Sequence, residues 1–241
     1  ILSVFWPPED VGIFRLSYKV LEGLIFFPTM FVGLIMPLLS RYALPDFKMF
    51  KKTFQRTFDI LMIFGWPLVF GGIIVSPQII QLLGGSQYQE SVMILKILMA
   101  AVGFIFLGTL FSFGLIALGK QKILLKISAA GMAVNLILNL IFIPKYSFLA
   151  AAWVTVLTEG LVLGLMFWVF WRFWRLWPSF RSALKSFLAA LIMSLFLWYF
   201  HEKNLLFLVS LGGMIYFLTL WLFKGFSLKD LGELLRGKES A

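Results

Sequence analysis

Stretches of about twenty apolar residues recur along this chain, separated by short loops that hold most of its charge. About twenty residues rising 1.5 Å each cross the roughly 30 Å hydrocarbon core of a bilayer. Hydrophobic residues make up 61% of the chain and charged residues 13%, far from the balance of a soluble domain. The reading is an all-α, polytopic membrane protein. Its spans fall at about 11–40, 59–83, 91–118, 123–143, 149–171, 183–200 and 205–223, about seven transmembrane helices. The opening ILSVF reads as the tail of a further span, and WPPED as a Pro-Pro turn at a membrane surface. A start at Ile1 rather than Met carries the expectation that an N-terminal portion precedes it.

A net charge of +10 raises nucleic acid as a partner, but its distribution argues for topology. Of the 21 Lys and Arg residues, sixteen lie in one alternating set of loops and the C-terminal tail. The other set holds Lys145 and Lys203, and three cations (Arg15, Lys19 and Lys96) fall inside spans. Positive charge marks the cytoplasmic side. The expected C-terminus is therefore cytoplasmic, WPPED is outside, and no nucleic-acid patch is expected. The tail SLKDLGELLRG reads as an amphipathic helix on the membrane surface, with Ser227 as its N-cap. With no cysteine there are neither disulfides nor thiolate metal sites, and His201 stands alone in a loop. No metal, cofactor or catalytic residue is expected.

The stretch 11–41, VGIFRLSYKVLEGLIFFPTMFVGLIMPLLSR, is the most informative. Arg15, Lys19 and Glu22 are spaced by four and three, so they share a helical face. A charge at mid-bilayer costs roughly 2.5–3.5 kcal/mol on insertion scales, so that face should look into protein or a wet cavity. Lys96 enters the third span, Asn135 and Asn139 are one turn apart in the fourth, and Glu159 is near the middle of the fifth. Pro28, Pro37, Pro67 and Pro77 read as breaks in the first two spans, consistent with moving segments.

Each of these residues carries two readings. Arg15 and Lys19 are candidates for an anionic substrate; otherwise Arg15 snorkels to headgroups and Lys19 pairs with Glu22. Glu22 is a coupling site or the partner of Lys19. Lys96 faces the cavity, or reaches the interface and Glu90. Glu159 marks an ion path or is a structural, hydrogen-bonded carboxyl. Asn135 and Asn139 join helices, or Asn139 meets sugar. Trp168, Trp171, Trp174 and Trp177, mixed with Arg172 and Arg175, read as a cytoplasmic aromatic belt.

The run 11–41 resembles the signature helix of polysaccharide flippases, the lipid-linked oligosaccharide translocases of the multidrug/oligosaccharidyl-lipid/polysaccharide (MOP) exporter superfamily. IIQLLGGSQYQESVMILKIL is similar to a second family segment, with Gly85, Tyr88 and Ser91 at matching places. ALGKQKILLKISAAGMAVNLILNLIFIPKYSFLAAAWVTVLTE resembles a third, matching at Gly119, Asn135, Asn139, Pro144, Tyr146, Thr155 and Glu159, while Ser147 and Ala150 replace two glycines of the pattern. The resemblance implies the C-terminal lobe of a MATE-like transporter of fourteen helices. On it, 1–171 would supply the end of one span and five helices of that lobe, 172–223 two additional helices, and 224–241 the tail. Six or seven further spans would precede Ile1.

The implied activity is translocation of an undecaprenyl-linked oligosaccharide across the inner membrane by alternating access. This would serve polysaccharide synthesis for the cell envelope, such as O-antigen and lipopolysaccharide. Arg15, Lys19, Lys96 and Asn139 are the candidate substrate contacts, with Glu22 and Glu159 in coupling or structural roles. Membrane lipids, and a polysaccharide polymerase with its chain-length machinery, are the expected partners. A cation-coupled drug exporter of the same superfamily is the alternative. A membrane polysaccharide polymerase or ligase fits less well, because every external loop is about ten residues or fewer and none holds an acid/base pair.

Overall fold

The computed structural model describes residues 5–225. The expected tail helix falls on 226–241, and most of ILSVF on 1–4, outside the described residues. Among those described, the regular structure is helical throughout. Helix α1 is Pro8–Tyr42, α2 is Phe47–Gly84, α3 is Ser91–Ala117, α4 is Gln121–Trp174, α5 is Arg181–Tyr199 and α6 is Leu205–Leu222, with a 3₁₀ turn at Ser86–Tyr88. All six helices are long and apolar enough to cross a membrane.

Local chemistry explains where they start and stop. Asp46 accepts from the Met49 N–H at 3.0 Å and Asn204 from the Phe207 N–H at 2.9 Å, capping α2 and α6. Gly85 (φ 74°) and Gly119 (φ 70°) hold the left-handed conformations on which the turns after α2 and α3 depend.

At 54 residues, α4 is far too long for one crossing. The Asn135 amide donates to Thr158 Oγ1 at 3.1 Å, across 23 residues that a straight helix would spread over about 34 Å. The chain therefore reverses direction, and it does so at Ser147 (φ 49°, ψ −134°). The expected fourth and fifth spans are both present, as the two antiparallel arms of one hairpin. With the two arms counted separately, the described residues hold about seven spanning segments. Gly131 sits where the arms press closest: a β-carbon there would collide with the Val162 side chain.

The proline breaks expected in the first two spans do not end either helix. α1 continues through Pro28 and Pro37, and α2 through Pro67 and Pro77. A proline removes one N–H and so frees the carbonyl four residues earlier. For Pro67 that carbonyl is Ile63, and it accepts the buried Tyr216 hydroxyl of α6 at 2.5 Å. A tertiary contact supplies the donor that the helix lacks, which is how such positions are tolerated in lipid.

The core lies around α3, which touches α1, α2 and α4. Phe54, Phe111 and Phe170 meet there with ring centroids 5.1–5.3 Å apart. Helices α5 and α6 pack on the other side of α2 around a separate apolar cluster that includes Ile63, Met193, Leu197 and Tyr216. The α4–α5 connection is pinned by Gln55. Its side-chain amide accepts from the Ser179 N–H at 2.7 Å and donates to the Ser179 carbonyl at 2.9 Å.

Candidate functional site: the charged face of α1 and its surroundings

Helices α1 and α3 run side by side in the same direction, joined near their starts by two serines. Ser17 Oγ donates to the Ser91 carbonyl at 2.7 Å, and Ser91 Oγ donates to the Ile13 carbonyl at 2.9 Å. Two short polar side chains thus tie the helices together, each satisfied by the other's backbone. Glu22 and Lys96 lie equally far beyond these serines, about 7–8 Å along parallel axes, and so at matching depth.

The packing of α1 separates its faces. Ser17, Leu21, Val32, Ile35 and Leu39 are buried against the bundle, whereas Arg15, Lys19 and Glu22 are exposed. Phe26, Met30 and Leu34 continue the same exposed face along the helix. It is therefore one stripe, charged near the start of α1 and apolar beyond. Lys96 is half-buried on α3. Glu159, half-buried on the second arm of α4, lies with Glu22 within electrostatic reach of the Tyr18 hydroxyl. Arg15, Lys19 and Glu22 thus share the open face of α1, Glu159 lies near Tyr18 of the same helix, and Lys96 stands at the depth of Glu22 on α3.

Asn139 is the buried one of the six. It is 9% exposed, between the arms of α4, and its amide donates to Asn135 Oδ1 at 2.8 Å. Asn135 in turn donates to Thr158, whose hydroxyl donates to the Val154 carbonyl at 2.8 Å. The chain of amides joins the arms, and Asn139 Oδ1 accepts from no donor among the described residues.

The start of α1 is fastened to the tip of that hairpin. Trp6 Nε1 donates to the Ile143 carbonyl at 2.8 Å, and Ser147 Oγ donates to Asp10 Oδ2 at 2.7 Å. The carbonyl of Ile143 would normally serve the N–H four residues on, which is Ser147 at the bend. Ser147 holds a backbone conformation that L-residues enter at a cost of about 1–3 kcal/mol. This is one of the two positions where serine or alanine replaces a glycine of the flippase pattern. We expect Ser147→Ala to lower stability by about 1 kcal/mol, because the bond to Asp10 is lost and the strain stays. Ser147→Gly should be nearly neutral, since relief of strain offsets the lost bond. Thermal unfolding of the purified protein in detergent separates the two; equal midpoints would mean that the bend carries no strain.

Sequence reasoning did not find Tyr18, the Ser17/Ser91 pair, or the Ser147–Asp10 contact. A polar residue on the buried face of an amphipathic span is the signal that marks Ser17. The Asp10 and Ser147 partners are 137 residues apart and carry no local signal.

Comparison with known proteins agrees with this architecture. No curated protein matches the chain. Among solved structures it is similar to the lipid II flippase MurJ in an inward closed conformation, with a TM-score of 0.78 and 18% identity. That superposition covers 95% of this chain and 50% of MurJ, so the chain spans about half the length of that relative. At this identity the likeness shows a shared fold. The MatE family signature matches residues 2–141, from before α1 into the first arm of α4. With more than half the chain matched, this multi-pass membrane protein belongs to the MatE family, within the MOP superfamily that the sequence resemblance indicated.

Proposed function

We propose that the protein translocates a lipid-linked oligosaccharide across the cytoplasmic membrane by alternating access, as one lobe of a larger transporter. The observation that carries this reading is the exposed stripe of α1. Its cations, Arg15 and Lys19, stand on an unpacked face of a spanning helix, with Lys96 close in depth on α3. Charged groups in such a place are costly in lipid and effective toward an anion in a water-poor cavity. The phosphates of a lipid-linked sugar are such an anion, and lipid II, the cargo named for the structural relative MurJ, is of the same class. On this reading Arg15, Lys19 and Lys96 contact the charged part of the substrate. Asn139 supports the wall they belong to, and Glu22 and Glu159 tune its charge or couple an ion.

The division into a lobe at 1–171 and two further helices at 172–223 is supported by the separate apolar cluster that α5 and α6 make with α2. A cytoplasmic C-terminus follows from the loop cations. A polysaccharide polymerase and its chain-length machinery would take the product. The substrate's place in O-antigen or lipopolysaccharide synthesis belongs to the same proposal.

Depletion of the intact gene in its own cell tests it. We expect undecaprenyl-linked oligosaccharide to accumulate on the cytoplasmic leaflet and surface polysaccharide to be lost. A normal outward distribution would sink the reading, and export of cationic drugs would then be the activity to measure.

A further inference from the structure

Away from α1, an open pocket of about 580 Å³ lies between the end of α2, the turn before α3 and the start of α6. It is lined by Pro77, Gln78, Gln81, Leu82, Gln89 and Leu205. Its volume falls within the roughly 300–1,000 Å³ of small-ligand pockets. Helix α1 meets α2 at Gly84 through Leu16, whereas this pocket opens on the side of α2 that faces α6. It is therefore a second place, separate from the charged stripe.

Three primary amides line the pocket, and no ionised side chain does. Gln78 is held in place because its Nε2 donates to the His201 carbonyl in the α5–α6 turn. Its Oε1 is buried and accepts from no donor among the described residues. Gln81 and Gln89 are exposed, and each amide offers two donors and an acceptor. A ligand for this lining meets the exposed amides of Gln81 and Gln89, and pairs with them by both donating and accepting without bringing charge. A phosphate or carboxylate finds no cation in this lining, and an ammonium finds no carboxylate. A sugar hydroxyl both donates and accepts. Leu82, Leu205 and Pro77 supply apolar surface for the C–H faces of the ring.

We propose that this pocket is a carbohydrate subsite for uncharged sugar hydroxyls, at the end of the bundle remote from the basic connections. It rests on the proposed handling of a lipid-linked glycan, and gives the sugar portion a place to sit apart from the groups that meet its phosphates.

The test uses the full-length protein in nanodiscs, with lactose as the probe and saturation-transfer NMR as the readout. We expect transfer to lactose in the wild type, a several-fold loss in Gln81→Leu/Gln89→Leu, and an unchanged signal in Lys120→Ala, an exposed residue of the α3–α4 connection. Leu205→Trp, which fills the pocket without touching an amide, should give the same loss. Absence of transfer in the wild type would overturn the subsite, as would transfer that survives both pocket variants. Glucosyl-diacylglycerol added to the nanodiscs identifies the source. Competition with lactose means that membrane-anchored sugar reaches the pocket; no competition means that it takes soluble glycan, and the subsite stands in either case. A failure here leaves the leaflet assay untouched, so the two readings fall separately.

Discussion

Lys19→Glu is expected to lower translocation by about 10- to 100-fold while the protein stays folded. Lys19 is exposed on α1 and buries nothing, so its replacement has little to act on in the core. Its value would lie in the substrate. A hydrogen bond to a charged group is worth about 1.5–3 kcal/mol, and each 1.4 kcal/mol in a barrier is a factor of ten. Reversal also adds a second carboxylate three residues before Glu22, so the stripe would repel the anion proposed as its substrate. Lys19→Arg should keep most of the activity and Lys19→Gln should fall between. The measurement is the rate of surface polysaccharide recovery after re-expression in depleted cells, with membrane levels of each variant quantified. Wild-type recovery by Lys19→Glu at wild-type abundance would remove the stripe from the mechanism.

The second large effect concerns stability. Tyr216→Phe should destabilise the protein by about 1–3 kcal/mol, the cost of leaving a buried acceptor without its donor. The acceptor is the Ile63 carbonyl, freed by Pro67, and no water reaches it in hydrocarbon. A double variant is the sharper test. In Pro67→Ala the N–H returns and can close the helix onto Ile63, so Tyr216→Phe should cost much less in that background. Unfolding midpoints in detergent for the four proteins of this cycle give the coupling. Equal losses from Tyr216→Phe with and without Pro67 would show that the hydroxyl does not stand in for the missing helical bond.

How much of this was legible beforehand differs from residue to residue. The common face of Arg15, Lys19 and Glu22 follows from spacing alone, because a helix places residues three and four apart on one side. That this face is the unpacked one does not follow, since Leu21 and Phe26 are both apolar and only the first is buried. Asn135 and Asn139 read correctly as neighbours one turn apart. Their onward link to Thr158 depends on α4 folding back on itself. All four prolines read as breaks, yet both helices run on through them; for Pro67 the reason is the Tyr216 hydroxyl, which replaces the deleted hydrogen bond from a position that the local sequence does not show.

By itself, then, the chain's sequence determined that it is helical, that it crosses the membrane about seven times, and which superfamily it belongs to. These rest on run length and local pattern, properties that a segment carries wherever it sits. Only the tertiary structure decided that two spans form one hairpin bent at Ser147, that α5 and α6 pack on α2 around their own cluster, and that α1 turns its cations outward. Each of these depends on partners tens to more than a hundred residues away. A 3.6-residue period says that a helix has two faces, and packing decides which one is left open.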